Sequence, residues 1–115
     1  MKRGEVYWAN IVPRSGSEQM GRRPVVIVTR DSFNQTPSWA SIVIVPMSTS
    51  PNQARRGLTA IAIPAGEAGL DKPGIALCHQ ITTLDRAKIG KRIGELSPAM
   101  LAQVDDGLRA TLSLD

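Results

Sequence analysis

Residues 16–28 read GSEQMGRRPVVIV, and the way this stretch changes character decides the fold. A polar segment bounded by glycines runs into two arginines, Arg22 and Arg23, then Pro24, then an unbroken apolar run. Proline cannot donate to a sheet ladder but is tolerated where a strand begins, and it forces the residue before it into extended geometry. Arg23 is therefore expected to be held straight at the mouth of a strand. A run without polar alternation is the mark of a strand covered on both faces. Residues 14–22, by contrast, read as a loop.

Working outward, residues 5–12 (EVYWANIV) are aromatic and β-branched enough for a first strand, closed by Pro13. Residues 31–37 suggest a turn or one short helical turn, and residues 40–47 (ASIVIVPM) a third strand. Residues 48–57 form a second polar, basic loop. Residues 58–63 and 74–81 are strand-like, with a Gly- and Pro-rich connection between them. Residues 82–89 are expected to form a short helix, and residues 91–96 a brief strand.

The clearest helix comes last. Ser97 suits the N-cap and Pro98 the first helical position, where a missing N–H costs nothing. Leu101, Val104, Leu108 and Leu112 recur at helical spacing, and Asp105 with Arg109 forms a candidate i, i+4 pair. The gaps between the early strands are too short for crossover helices, so the sheet should be antiparallel. The sum is a mainly β (α+β) chain: a small, bent sheet or barrel with short helices and a C-terminal helix, one domain over residues 1–115.

Composition narrows the function. No apolar run reaches the length of a membrane span, and the N-terminus lacks a continuous apolar core and cleavage site for a signal peptide. One cysteine, Cys78, suits a reducing cytoplasm. Cys78 and His79 are the only soft or imidazole ligands and, as strand neighbours, would point apart, so no metal is expected. The formal charge of +4 is uneven: residues 1–60 hold eight bases against three acids, residues 61–115 six against seven. That asymmetry points to a polyanionic partner or to a solvated basic face.

Four blocks carry a resemblance: RGEVYW (3–8), GSEQMGRRPVVIV (16–28), IVIVPMSTS (42–50) and CHQITTLD (78–85). In this order and spacing, over nearly the whole chain, the sequence resembles the MazF/PemK toxins. The resemblance implies a small SH3-like antiparallel β barrel, usually a homodimer, and a metal-independent endoribonuclease that cuts single-stranded RNA such as mRNA at short sequences. It also implies a cognate antitoxin with an acidic tail, and no cofactor. Residue by residue, the family's catalytic arginine falls on Arg23. Its hydroxyl partner falls on Ser48, with Thr49 the neighbouring alternative. The loop glutamate falls on Glu18, and the glutamine of the Q-I-x-T-x-D block on Gln80. At His79, relatives more often carry an acidic or other polar residue.

The chemistry suits those residue types. A guanidinium is a planar, permanently charged donor fork that matches a phosphate, and a poor base near neutrality. The bland alternative for Arg23 is a surface ion pair with Glu18. The lone histidine, His79, is either a proton shuttle or a strand residue making one structural hydrogen bond. Ser17, Arg14, Arg22, Asn34, Arg55 and Arg56 are candidates for contact with the RNA, as is Gln80. Trp39 and Phe33 are candidates for stacking on bases, and Trp8 is the first candidate for the core. Two other classes compete: a non-enzymatic poison on the same fold, like the CcdB toxins that trap DNA gyrase, and a basic RNA-binding barrel without catalysis. The gyrase poisons depend on an aromatic near the end of the terminal helix, and this chain ends LRATLSLD.

Overall fold

The structure is a computed structural model that describes residues 1–11 and 21–115. Its strands are β1 (Glu5–Ile11), β2 (Gly21–Ile27), β3 (Ser41–Ser48), β4 (Ala60–Ile63), β5 (Gly74–Leu77), β6 (Thr82–Asp85) and β7 (Ile89–Glu95). Helix α1 (Asp31–Asn34) is a single turn, and α2 (Pro98–Leu112) is the long terminal helix. The strands form one sheet in the order β4-β5-β3-β2-β1-β7, with β6 also paired to β3. Every pairing is antiparallel. The sheet is bent like a barrel but is not closed.

The run PVVIV becomes the centre of the sheet. Val25 and Ile27 enter one core cluster with Ala9, Ile11, Ile42 and Ile44. Val26 and Val28 enter the other, with Val6, Val45, Met47 and Ile63. Successive strand residues face opposite ways, so an unbroken apolar run can fill both cores at once. Helix α2 closes the second cluster through Val104 and Leu108. It starts as its sequence dictates: Ser97 Oγ accepts from the Met100 N–H at 3.2 Å, with Pro98 in the first turn.

Several local expectations are corrected. Residues 82–89 are not a helix: Thr82 and Thr83 are β-branched and take the open edge of β3 as β6, followed by a 3-10 turn at Arg86–Lys88. The fifth strand stops at Leu77, and Cys78–Gln80 is a 3-10 turn. Three steps along β3, from Ile44 to Met47, therefore answer to six steps along the chain from Ala76 in β5 to Thr82 in β6. The basic loop carries a 3-10 segment, Pro51–Thr59. On α2, Asp105 bonds Arg3 at 2.6 Å, while Arg109 takes Asp106 at 2.9 Å. Arg3 wins because its guanidinium is already anchored by its Nε–H to the Val28 carbonyl, beside the helix.

Glu5 is buried at the start of β1. Burial works against its charge, but the Arg92 guanidinium, the Lys2 N–H and the Tyr7 hydroxyl outweigh it and hold the carboxyl below its ordinary range. A depressed carboxyl stabilises the fold above its unfolded pKa, and that contribution vanishes as pH falls through the folded one. Glu5→Gln is thus expected to lower the denaturation midpoint at neutral pH and to weaken the parent's loss of stability below about pH 4.5. Urea titrations across that range measure both effects.

Candidate active site

The sheet is interrupted where β2 and β3 part. Val25 faces Pro46, Val26 faces Val45 and Ile27 faces Ile44, and there the ladder ends. Pro24 and Pro46 both lack an N–H, so neither can donate a rung at the point of separation. Beyond it, Met47 and Ser48 pair with β5 instead. Among the described residues, the first half of β2, Gly21 to Pro24, pairs only with β1. Continuing the lost register would set Arg23 opposite Ser48, two residues on one face with a gap between them.

That gap is a cavity of about 470 Å³. Trp8, Arg22, Arg23 and Pro24 form one wall, and Met47, Ser48 and Thr49 another. The connection between β4 and β5, residues 69–74, closes it with Ile93 of β7. Arg23 is half-buried and Arg22 exposed. With Lys72 they set three cations against Asp71, a net positive charge among the described lining residues. Ser48 is almost fully buried, and its Oγ accepts the Ser50 N–H at 3.1 Å. That bond fixes the oxygen and leaves the hydroxyl proton available for donation.

The structure thus brings together Arg22, Arg23, Ser48 and Thr49. It does not bring the other described candidates there. His79 and Gln80 share the 3-10 turn after β5, with His79 Nε2 3.5 Å from Gln80 Nε2, outside the cleft lining. Arg55 is exposed on the 3-10 segment after β3, also outside it. Asn34 is buried, with Nδ2 donating to the Thr29 carbonyl and to Asp31, which makes it a brace for α1. Trp39 stacks on Phe33, centroids 4.2 Å apart, on the α1 side of the sheet. Arg86 anchors that corner by donating to the carbonyls of Phe33, Asn34, Thr36 and Trp39. Arg14, Ser17, Glu18 and the side chain of Arg56 lie outside the described residues.

Two parts of the site escaped the reading of the sequence. Trp8 is not in the core: it sits opposite Pro24, where β2 has no other strand partner among the described residues, and it lines the cavity. Lys72 arrives on a turn that the sequence marks only by D-K-P-G. Cys78, by contrast, is inert packing. Burial, with help from Asp105, pushes its thiol up to about 11, and Sγ lies 3.6 Å from the Val104 carbonyl. Among the described residues no three His, Cys, Asp or Glu side chains are grouped to hold a metal ion, and no helix is long and apolar enough to cross a membrane.

Comparison with known proteins identifies the family of the chain. Residues 2–112 match the family described as PemK-like, MazF-like toxin of type II toxin–antitoxin system. The chain is 33% identical to endoribonuclease EndoA of Bacillus subtilis, covering 99% of this chain and 96% of that protein. It is 35% identical to endoribonuclease MazF of Staphylococcus epidermidis, covering 100% and 93%. Among solved structures it superimposes on MazF of Deinococcus radiodurans with a TM-score of 0.80 at 24% identity, over 99% of this chain and 97% of that one. Two prolines that open a sheet between an arginine and a serine thus sit in a chain whose sequence matches from end to end, and the protein belongs to the PemK-like, MazF-like family of type II toxins.

Proposed function

We propose that the endoribonuclease activity carried by this family membership is exerted in the cleft between β2 and β3, on single-stranded RNA and without a metal. The observation that supports this most strongly is the placement of Arg23 and Ser48 on the two lips of one positively charged cavity. RNA supplies its own nucleophile, the 2′-hydroxyl next to the cut phosphate. The protein must accept that proton, stabilise a doubly charged phosphorane and assist protonation of the departing 5′-oxygen. The products are a 2′,3′-cyclic phosphate and a 5′-hydroxyl.

Arg23 fits the second task. Its fork can bind two non-bridging oxygens at once, and in a cleft partly shielded from water such a preorganised donor is worth more than in solution. Ser48 donates its hydroxyl to the same phosphate. Arg23 also hydrogen-bonds the leaving oxygen as charge develops on it; the guanidinium stays charged, and the proton itself comes from solvent. Glu18, the carboxylate matching the family's loop position, is our assignment for the proton acceptor. Arg22 and Lys72 hold flanking phosphates, and the candidates outside the cleft take no part in the chemical step. The remaining readings are a homodimer acting in the cytoplasm as one nuclease unit per chain, and a cognate antitoxin whose acidic tail neutralises the cleft cations. Solved relatives include an endoribonuclease in complex with its cognate antitoxin from a mycobacterial species.

Incubating the protein with a random-sequence pool of single-stranded RNA in excess chelator tests this assignment. Cleavage is expected to persist. Ser48→Ala should slow it about 10- to 150-fold, in line with the ~1.5–3 kcal/mol of a hydrogen bond to a charged group. Thr49→Ala should stay within a few-fold of the parent. An RNA pool left intact would remove the nuclease reading, and the reverse order of the two variants would move the hydroxyl role to Thr49.

A further inference from the structure

Arg22 Cζ lies 4.5 Å from the centroid of the Trp8 ring. The register explains the contact. Trp8 faces Pro24 and Asn10 faces Arg22, so Trp8 and Arg22 are diagonal neighbours on one face of the β1–β2 ribbon. Both line the cleft, and Arg23 lies between Arg22 and Pro24 in the chain. Apolar surface from Pro24, Met47 and Ile93 borders the same cavity. An aromatic face, an apolar surround and cations beside it suit a nucleobase better than a bare phosphate.

We propose that the Trp8 indole is the stacking platform for the base adjoining the cleaved phosphate. In the free protein Arg22 covers it; when the base arrives, Arg22 gives up the ring and moves to a backbone phosphate. The inference rests on the nuclease reading and adds to it the element that holds a base rather than the backbone. An exposed cation–π contact is weaker than the stacking of a base on an aromatic side chain, so the exchange runs downhill. The released guanidinium neutralises a phosphate instead of returning to water. Cover and platform are therefore a single two-position device.

Three measurements test it. In Trp39→Phe, Trp8 is the only tryptophan left. Its fluorescence should be quenched on binding an uncleavable 2′-O-methyl pool of single-stranded RNA. In the preferred cleavage sequence, an abasic residue is then placed in turn at each position flanking the cut. At one position its loss should cost the parent about 5- to 150-fold in binding, the span measured for base–aromatic stacking, and cost Trp8→Ala almost nothing. Trp8→Phe, which keeps a ring, should restore most of that sensitivity and guard against a folding defect in the alanine variant. Finally, Arg22→Ala should lower the salt slope of binding by about 0.7, the loss of one neutralised phosphate on a single strand.

An unquenched Trp8 together with the same abasic profile in parent and Trp8→Ala would overturn the platform while leaving cleavage intact. An unchanged salt slope in Arg22→Ala would overturn the movement of Arg22. Quenching of Trp8 by the 2′-O-methyl pool in a protein that cuts no RNA would instead uphold Trp8 as a base platform and remove the nuclease.

Discussion

Arg23→Ala is expected to slow RNA cleavage about 100- to 1,000-fold, the loss of about 2.7–4 kcal/mol that follows removal of one preorganised donor from a transition-state charge. The fold should survive. Arg23 stands at the cleft end of β2, beyond the last rung shared with β3, and belongs to neither core cluster. The denaturation midpoint should therefore move little while kcat falls, which separates a chemical role from a structural one. Arg23→Lys keeps the charge but loses the planar fork, so it should recover only part of the rate. Arg22→Ala should cost far less in kcat, because its partner is the Trp8 ring and its work is in binding. Equal losses at the two arginines would contradict the division of labour argued here.

The second large effect concerns the side of the cleft closed by residues 69–74 and Ile93. Gly94 lies in β7, and a Cβ there would come within 2.1 Å of the Ala68 carbonyl oxygen. Ala68 is held at φ 54, so the backbone on that side is already in the sparsely populated left-handed region. Neither side can yield cheaply, since both are main chain. Gly94→Ala is expected to destabilise the protein by about 3 kcal/mol, at the upper end of ordinary overpacking, or roughly 10 °C in Tm. The same push displaces residues 67–70, which lead into the cleft-lining turn, so cleavage should fall as well. Gly90→Ala is the control in the same strand: its Cβ would meet the Trp8 carbonyl at 3.3 Å, a contact that a small shift relieves. Differential scanning of the two variants should show a large shift for position 94 and a small one for position 90.

What could be read from the residues alone follows from how local the physics is. The run after Pro24 declared a doubly covered strand, because both parities are apolar and both found a core. Ser97 and Pro98 declared a helix start by chemistry confined to one turn. The resemblance supplied Arg23 and Ser48, and the parting of β2 from β3 supplies a physical reason for their pairing that the sequence hints at only through Pro24 and Pro46.

Other features depended on where distant segments meet. Residues 82–85 carry too few side chains to distinguish a strand from a helical turn; the unfilled edge of β3 decided it. Trp8 is large and aromatic like a core residue, and it is the lack of a second strand beside Pro24 among the described residues that leaves it at the cleft. His79, the one imidazole, left a proton shuttle and a structural hydrogen bond both open, and a 3-10 turn places it outside the described lining. Asn34 likewise had the polarity of a surface contact and spends it on the backbone of its own turn.

All of this comes down to whether the protein uses the nucleophile that the RNA carries. The most direct measurement takes the preferred cleavage sequence in chelator, with a single 2′-deoxyribose placed 5′ of the scissile phosphate and every other sugar unchanged. The ribose strand is expected to be cut to a 2′,3′-cyclic phosphate and a 5′-hydroxyl, and the singly substituted strand to bind as well but stay uncut. Cleavage of the substituted strand at a comparable rate, or products bearing a 5′-phosphate, would contradict attack by the 2′-hydroxyl.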